Sequence, residues 1–231
     1  MSPEASFLKP SSFIDSDAAS IREFARVAAT GARDDVGRVI ALYRAVREAV
    51  LYDPYVDVSN PASYRASEIL ALGRGYCVGK ASLLAAVARA TGVPARVGYA
   101  DVRNHMTSPR LYEALGTDIF RWHSYADLYV EGRWVKATPA FNASLCDRLG
   151  VHVLEFDGRN DSLFQQFDRS GQRHMEYLCD RGVYADVPFE AILDDFRVHY
   201  PALLSKAGLS GDFQAEAVAD ESVAGKAGAS E

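Results

Sequence analysis

The sequence contains few cysteines and no long apolar run. Of its 231 residues only Cys77, Cys146 and Cys179 are cysteines. An odd number of widely spaced cysteines fits neither a disulfide framework nor a zinc site of the CxxC type. No apolar run reaches the roughly 18 residues that a membrane span needs. We therefore expect free thiols and no membrane-spanning segment.

An excess of positive charge is also absent, because the formal net charge is -6. Nucleic acids and anionic membranes attract clustered lysine and arginine, so we expect neither as the main partner. The polar residues 1–4 lack the charged and apolar regions of a signal peptide, which favours a cytoplasmic protein. The sequence carries no indication of an oligomeric state.

The composition is that of a globular protein. Hydrophobic residues make up 48% of the chain and charged residues 24%, which is enough apolar material for a sizeable core. Two helices are indicated by their apolar patterns. Residues 34–50 place valine, isoleucine and tyrosine at steps of three and four, so one face is apolar. Residues 77–90 are apolar nearly all round, which is typical of a central buried helix.

Strand patterns occupy the middle of the chain. We predict strands over residues 94–102, 124–130 and 133–137, the last two joined by the two-residue turn Glu131-Gly132. In that hairpin Val130 faces Arg133, and counting back places Thr138 diagonally across from His123. Residues 150–204 show a mixed pattern, with a helix from 192 to 204, and residues 205–231 are a predicted mobile tail.

A cysteine stands between a glycine-rich turn and the buried helix. In Gly75-Tyr76-Cys77 the thiol falls at the helix start, where the dipole and the unpaired backbone N–H groups favour a thiolate. The same N–H groups are suited to hold an oxyanion, so acyl transfer is the reaction class indicated. Tyr76 and Trp122 are candidates for substrate binding or for assisting the oxyanion.

A histidine at the start of a predicted strand is the candidate base. His123 would take the proton of Cys77 and return it to the leaving amine. No carboxylate stands where a third, orienting partner is expected. Thr138 is the favoured substitute because of the strand register, and Asn142 is the alternative. Metal ligands at suitable spacing are lacking, so no metal or other cofactor is expected.

Two ordered blocks of sequence resemble the transglutaminase-like superfamily. The first comprises Gly75-Tyr76-Cys77, the helix that follows, and Gly92-Val93-Pro94-Ala95-Arg96. The second comprises His123, Tyr125, Asp127, Tyr129, Trp134 and Pro139. The likeness covers residues 34–142, and at the position of the family's catalytic aspartate this chain has Thr138. Asp127 is interpreted as a solvated or ion-paired surface group.

The resemblance implies an α+β fold with a papain-like or transglutaminase-like core, in which the helix that begins at the cysteine packs on an antiparallel sheet. The chain then divides into an N-terminal segment (1–33), the core (34–142), a C-terminal extension packed on the core (143–204) and the tail (205–231).

It also implies an enzyme that acts on amide bonds of a peptide or protein through Cys77 and His123, as a peptidase, amidase or transglutaminase. Because Thr138 replaces an acid, the alternative is a module of the same fold that binds a peptide or protein without turnover. Hydrolysis and crosslinking are not distinguished by the sequence.

Overall fold

A buried helix packed on one face of a four-stranded sheet organises the molecule. The computed structural model describes residues 3–204, 211 and 213–216, so most of the predicted tail (205–231) lies outside the described residues. The fold is α+β, as predicted. In the part of the chain that is described, no helix combines the length and the apolar character needed to cross a bilayer.

Seven helices and six strands are described, besides two short 3₁₀ turns at Pro3–Leu8 and Pro61–Ser63 and one helical turn at residues 213–216. In chain order they are α1 (Ala19–Ala28), α2 (Asp35–Ala49), β1 (Leu51–Tyr52), α3 (Ala66–Leu72), β2 (Arg74–Gly75), α4 (Cys77–Ala90), β3 (Ala95–Asn104), α5 (Pro109–Leu115), β4 (Ile119–Val130), β5 (Arg133–Ala137), α6 (Ala143–Arg148), β6 (Met175–Tyr184) and α7 (Phe189–His199).

The main sheet has the strand order β5-β4-β3-β6, and every neighbouring pair is antiparallel. Strands β1 and β2 form a separate two-residue parallel pair. This pair brings the end of α2 beside the turn that precedes α4.

The central helix is α4. Every residue from Cys77 to Arg89 is buried, because α1, α2 and α3 pack around the helix and strands β3 and β4 cover its remaining side. A buried lysine ties this helix to its neighbour: the Nζ of Lys80 donates to the carbonyl oxygens of Arg47 (2.9 Å) and Val50 at the end of α2. Burial lowers the pKa of Lys80 to about 7.

The hairpin between β4 and β5 has the predicted register. Val130 pairs with Arg133 and Tyr129 with Trp134, and Glu131 and Gly132 both have positive φ, as a tight two-residue turn requires. The Nζ of Lys136 lies 5.0 Å from the centre of the Tyr125 ring across the strands. The register therefore carries His123 and the residue that follows β5 to the same region of the sheet.

Strand β6 was not predicted. Its residues come from the mixed segment 150–204, and it pairs with β3 at the edge of the main sheet through two register shifts. Five of its ten residues are exposed, and no alternation of apolar and polar residues marks it in the sequence. The sheet therefore draws on both the predicted core segment and the predicted extension. The helix predicted at 192–204 is α7, which ends at His199, two residues before Pro201.

Close packing at the first turn of α4 depends on Gly79. A Cβ at this position would lie 2.7 Å from Ile69 Cδ1 and 2.8 Å from the backbone oxygen of Ser63. We predict that Gly79→Ala lowers the free energy of unfolding by about 1–3 kcal/mol, because the helix must move away from α3. Urea unfolding measures the change.

Gly37→Ala is the matched control, since Gly37 is also helical and a Cβ there would contact only the side chain of Asp34, at 3.2 Å. It should leave stability unchanged or raise it by up to about 1 kcal/mol. Equal losses in the two variants would contradict the close-packing account.

Candidate active site

Cys77 is the first residue of α4, and its side chain is 8% exposed. The residue before it, Tyr76, has an extended backbone and makes no side-chain hydrogen bond to the helix end. The first N–H groups of an α-helix have no partner within the helix. Because no side chain caps α4, its first backbone N–H groups remain available to acceptors near the sulfur of Cys77.

A β-bulge stands directly before His123. Pairing between β3 and β4 shifts register between Ala100, which faces His123, and Val102, which faces Phe120. Trp122 within the bulge has φ of +59°, a conformation that is uncommon for a bulky residue. Bulges of this kind redirect side chains and are frequent beside active sites. The bulge therefore sets the direction of the His123 imidazole.

Asp101 holds the bulge in place. Its Oδ1 accepts the backbone N–H of Trp122 at 3.1 Å, and both carboxylate oxygens accept from Arg181, at 2.5 and 2.9 Å. Asp195 of α7 joins the cluster by accepting from Trp122 Nε1 (3.0 Å) and Arg181 Nη2 (3.2 Å). The hydroxyl of Tyr200 accepts the backbone N–H of Arg121 at 2.9 Å. Residues from β3, β6 and α7, together with Tyr200 directly after α7, thus fix the bulge of β4.

Cys77 and His123 line the same cavity, whose volume together with its open mouth is about 490 Å³. Their side chains are brought together there without a direct hydrogen bond: the Nε2 atom of His123 is buried and has no partner among the described residues. Tyr76 also lines this cavity, and its ring packs edge-on against Tyr64 with 5.7 Å between centres.

The electrostatics of the thiol differ from the sequence-based expectation. Burial raises the pKa of Cys77 to about 11, while the backbone amides of Ser124, Val78 and Cys77 act to lower it. The expected helix-end effect is therefore present, but the cost of burying a thiolate is larger. The prediction of a depressed thiol pKa in the free protein is wrong. Because Ser124 follows His123 on β4, the interaction with its backbone amide also places the sulfur beside this strand.

The imidazole is likewise neutral at neutral pH. Burial lowers the pKa of His123 to about 4, the backbone carbonyl of Leu163 acts to raise it, and His174 lowers it further. Nearby groups that favour the charged ring are thus outweighed by desolvation. The resting pair is a thiol and a neutral imidazole.

A second, smaller cavity of about 220 Å³ is lined by His123 together with Thr138 and Leu163. The Oγ1 of Thr138 is buried without a hydrogen-bond partner among the described residues, so it does not bond to the imidazole. The backbone of Ser162 pairs with Lys136 (2.8 Å) and Thr138 (2.9 Å). These bonds hold Leu163 against the end of β5, where its carbonyl faces His123.

The alternative orienting residue, Asn142, is engaged elsewhere. Its Oδ1 accepts the N–H of Tyr52 at 3.1 Å, and its Nδ2 donates to Ser144 Oγ at 2.8 Å. Asn142 therefore joins β1 to the start of α6 and does not line either cavity beside His123.

The structure separates Tyr76 and Trp122, the two candidates for substrate binding. Tyr76 lines the cavity of Cys77. Trp122 does not; its indole N–H is donated to Asp195, and Arg181 lies over its ring at 4.6 Å. Trp122 therefore acts in the cluster that fixes the bulge. Asp127 forms the expected ion pair, with Arg96 at 2.8 Å, but it is buried and not a surface group.

The sequence analysis did not identify the residues that line the cavity of Cys77 or those that hold the bulge and the imidazole of His123 in position. Asp101 gave a signal, since it is an acid inside an apolar strand pattern, but its partner Arg181 stands 80 residues away. Leu163 gave none, because it acts through a backbone carbonyl. Leu111, Leu115 and Phe196 line the cavity of Cys77 from two helices distant in sequence.

Comparison with known protein families identifies a match in the middle of the chain. Residues 22–139 fit the family described as the transglutaminase-like superfamily, about half of the chain. The match contains Cys77, His123 and Thr138. A search of curated proteins gave no match.

Two solved structures that match this chain carry descriptive titles with their source organisms. A "putative cysteine protease" from Cytophaga hutchinsonii has 19% sequence identity and a TM-score of 0.52 over 83% of this chain and 50% of that one. The chain thus spans half the length of that protein. A "putative protease" from Parabacteroides distasonis has 16% identity and a TM-score of 0.41 over 58% of this chain and 26% of its own. At 19% identity the likeness to the Cytophaga hutchinsonii protein concerns the fold alone.

The neutral pair predicts a simple pH profile for the thiol. In the variant His123→Asn, where no imidazole can take the proton, alkylation of Cys77 by iodoacetamide should rise roughly tenfold per pH unit up to about pH 11, because only the thiolate then reacts. Mass spectrometry of the Cys77 peptide at each pH gives the rate, with the peptide of the exposed Cys179 as internal reference. A plateau already reached at pH 6–7 would contradict a thiol kept neutral by burial.

Proposed function

Because the chain belongs to the transglutaminase-like superfamily, we propose that it is a cysteine-dependent acyl-transfer enzyme that acts on amide bonds of a peptide or protein. The observation that carries the proposal is the shared cavity: the thiol of Cys77, at an uncapped helix end, and the imidazole of His123 open into the same space. Both residues of the proposed proton transfer thus line one cavity, which supports the proposal.

The first half of the proposed reaction starts from the neutral pair. The sulfur of Cys77 attacks the amide carbonyl while its proton passes to Nε2 of His123, the nitrogen left without a partner. Negative charge then develops on the carbonyl oxygen, where each backbone N–H at the start of α4 contributes on the order of 3 kcal/mol. The C–N bond breaks, the imidazolium gives its proton to the departing amine, and a thioester remains.

The second half regenerates the thiol. Water gives a proton to His123 as its oxygen attacks the thioester, the C–S bond breaks, and the proton returns to the sulfur of Cys77. An amine in place of water would give crosslinking. Hydrolysis is the favoured outcome, because water is always present whereas an amine needs a second binding site.

The orientation of His123 is proposed to come from the carbonyl of Leu163 rather than from a carboxylate. The carbonyl favours the protonated ring, as the third partner of such a pair must, but it carries no full charge. Thr138 lines the same small cavity and leaves its hydroxyl unpaired there.

The involvement of the two residues is tested by labelling with a peptide chloromethyl ketone. Cys77→Ala should abolish labelling at that position, and His123→Asn should slow it at least about 100-fold, because the proton acceptor is lost. Cys146→Ala, which removes a buried thiol outside this cavity, is the control and should react like the parent. Equal rates in the parent and His123→Asn would exclude the imidazole from the mechanism.

The second candidate function is a module that binds a peptide or protein without turnover. The missing third carboxylate and the raised pKa of the Cys77 thiol favour it. Such a module would have the cavity and the apolar walls but would release its partner unchanged. Failure of Cys77 to form a thioester with any amide or active ester, together with tight partner binding, would favour this function.

Substitution of Thr138 can introduce a carboxylate beside His123. Thr138→Asp should raise the pKa of His123 and speed the chloromethyl ketone reaction by on the order of tenfold or more, because a carboxylate in the small cavity stabilises the imidazolium. Thr138→Asn supplies the same shape without charge and is the control. If both variants react at the parent rate, the absence of a carboxylate does not limit the pair.

A further inference from the structure

The cavity that is lined by Cys77 and His123 has predominantly apolar walls. Besides these two residues, Tyr76 and a single arginine, its lining is aliphatic or aromatic with little polar surface. The members that contribute large apolar side chains from separate elements are Val58, Leu111, Leu115, Phe120, Phe196 and Leu203. We propose that the site takes an amide whose neighbouring side chain is large, uncharged and apolar, a substrate class that rests on the proposed function.

The space is open to solvent at its mouth, and its volume of about 490 Å³ includes that open part. Leu111 and Leu115 of α5 and Phe196 of α7 line this space together with Cys77 at the start of α4. An apolar side chain in this space therefore lies beside the sulfur.

The one charged residue of the lining does not offer a free charge. Arg121 Nη1 is 3.6 Å from Asp101 Oδ2 and 3.9 Å from Asp195 Oδ2, and Arg181 faces the same two carboxylates. Two guanidinium groups thus balance two carboxylates. A charged substrate side chain would lose its hydration in the cavity without gaining an unopposed partner, which costs free energy.

Apolar contacts in the cavity favour binding of an apolar substrate side chain over a charged one. One methylene group in a hydrophobic pocket gives about 10- to 200-fold discrimination, and a charged side chain is excluded more strongly. We therefore expect binding of an aromatic or leucine-like side chain to exceed that of a glutamate or lysine side chain by at least about tenfold.

The experiment measures binding without chemistry. Cys77→Ala is titrated with N-acetyl-phenylalanine amide, N-acetyl-leucine amide, N-acetyl-glutamate amide and N-acetyl-lysine amide, and Kd values are read from NMR shifts. The expected order places the phenylalanine and leucine amides at least about tenfold ahead of both charged amides. Equal Kd values for all four amides would overturn the proposal.

Variants on helix α5 test whether the cavity wall causes the preference for apolar amides. Leu115→Lys places a charge on the cavity wall and should remove the preference, and Leu115→Gln, a milder change, should reduce it in the same direction. Tyr112→Lys adds the same charge on the same helix at a residue that is 50% exposed, and it should leave the order of Kd values unchanged. Loss of preference in Tyr112→Lys alone would also overturn the proposal.

The proposed enzyme activity and the proposed apolar substrate class can be rejected independently of each other. Preference for apolar amides in Cys77→Ala, with no labelling of Cys77 by a phenylalanine chloromethyl ketone in the parent, would retain the apolar class and reject the enzyme. Labelling of Cys77 at one rate by phenylalanine and glutamate chloromethyl ketones would retain the enzyme and reject the apolar class.

Discussion

Burial of the first turn of α4 against β4 is the constraint on which the site depends. It brings the sulfur of Cys77 to unpaired helix amides and beside the strand that bears His123. The same burial removes water, and this keeps both groups neutral. One packing arrangement therefore supplies the geometry for nucleophilic attack and opposes the charge separation that would activate the thiol in advance. The protein differs in this respect from the thiolate site that the helix end alone would produce.

The direction of His123 is set by residues far from it in sequence. Asp101 of β3 secures the bulge of β4, Arg181 of β6 secures Asp101, and Asp195 of α7 binds both Arg181 and the Trp122 indole. Such a partly buried cluster costs desolvation, but its members satisfy one another in pairs. A strained φ at Trp122 is maintained because the surrounding contacts leave the backbone no alternative. The cluster thus acts on the imidazole through the backbone.

Local sequence patterns predict the parts of the fold that depend on local contacts. The helix beginning at Cys77 and the hairpin register through Glu131-Gly132 follow from periodicity and turn chemistry, and both agree with the structure. The pKa of Cys77 could not be predicted in the same way, because it depends on how deeply the helix end is buried. Strand β6 and the carbonyl of Leu163 were missed for a related reason: their roles arise from pairing and backbone placement, which leave no mark on residue type.

The apolar cavity and the neutral pair form one coherent arrangement under the proposed chemistry. A free thiolate is unfavourable in this space, so attack must be coupled to proton transfer, with charge passing directly to the carbonyl oxygen near the amides of α4. An apolar side chain that fills the cavity displaces the remaining water and strengthens those amide interactions, because they then act at a lower local dielectric. A substrate that suits the walls would thus also favour the transition state, whereas a small or charged one would leave water beside the sulfur. Binding preference and reactivity are expected to rise together in this site.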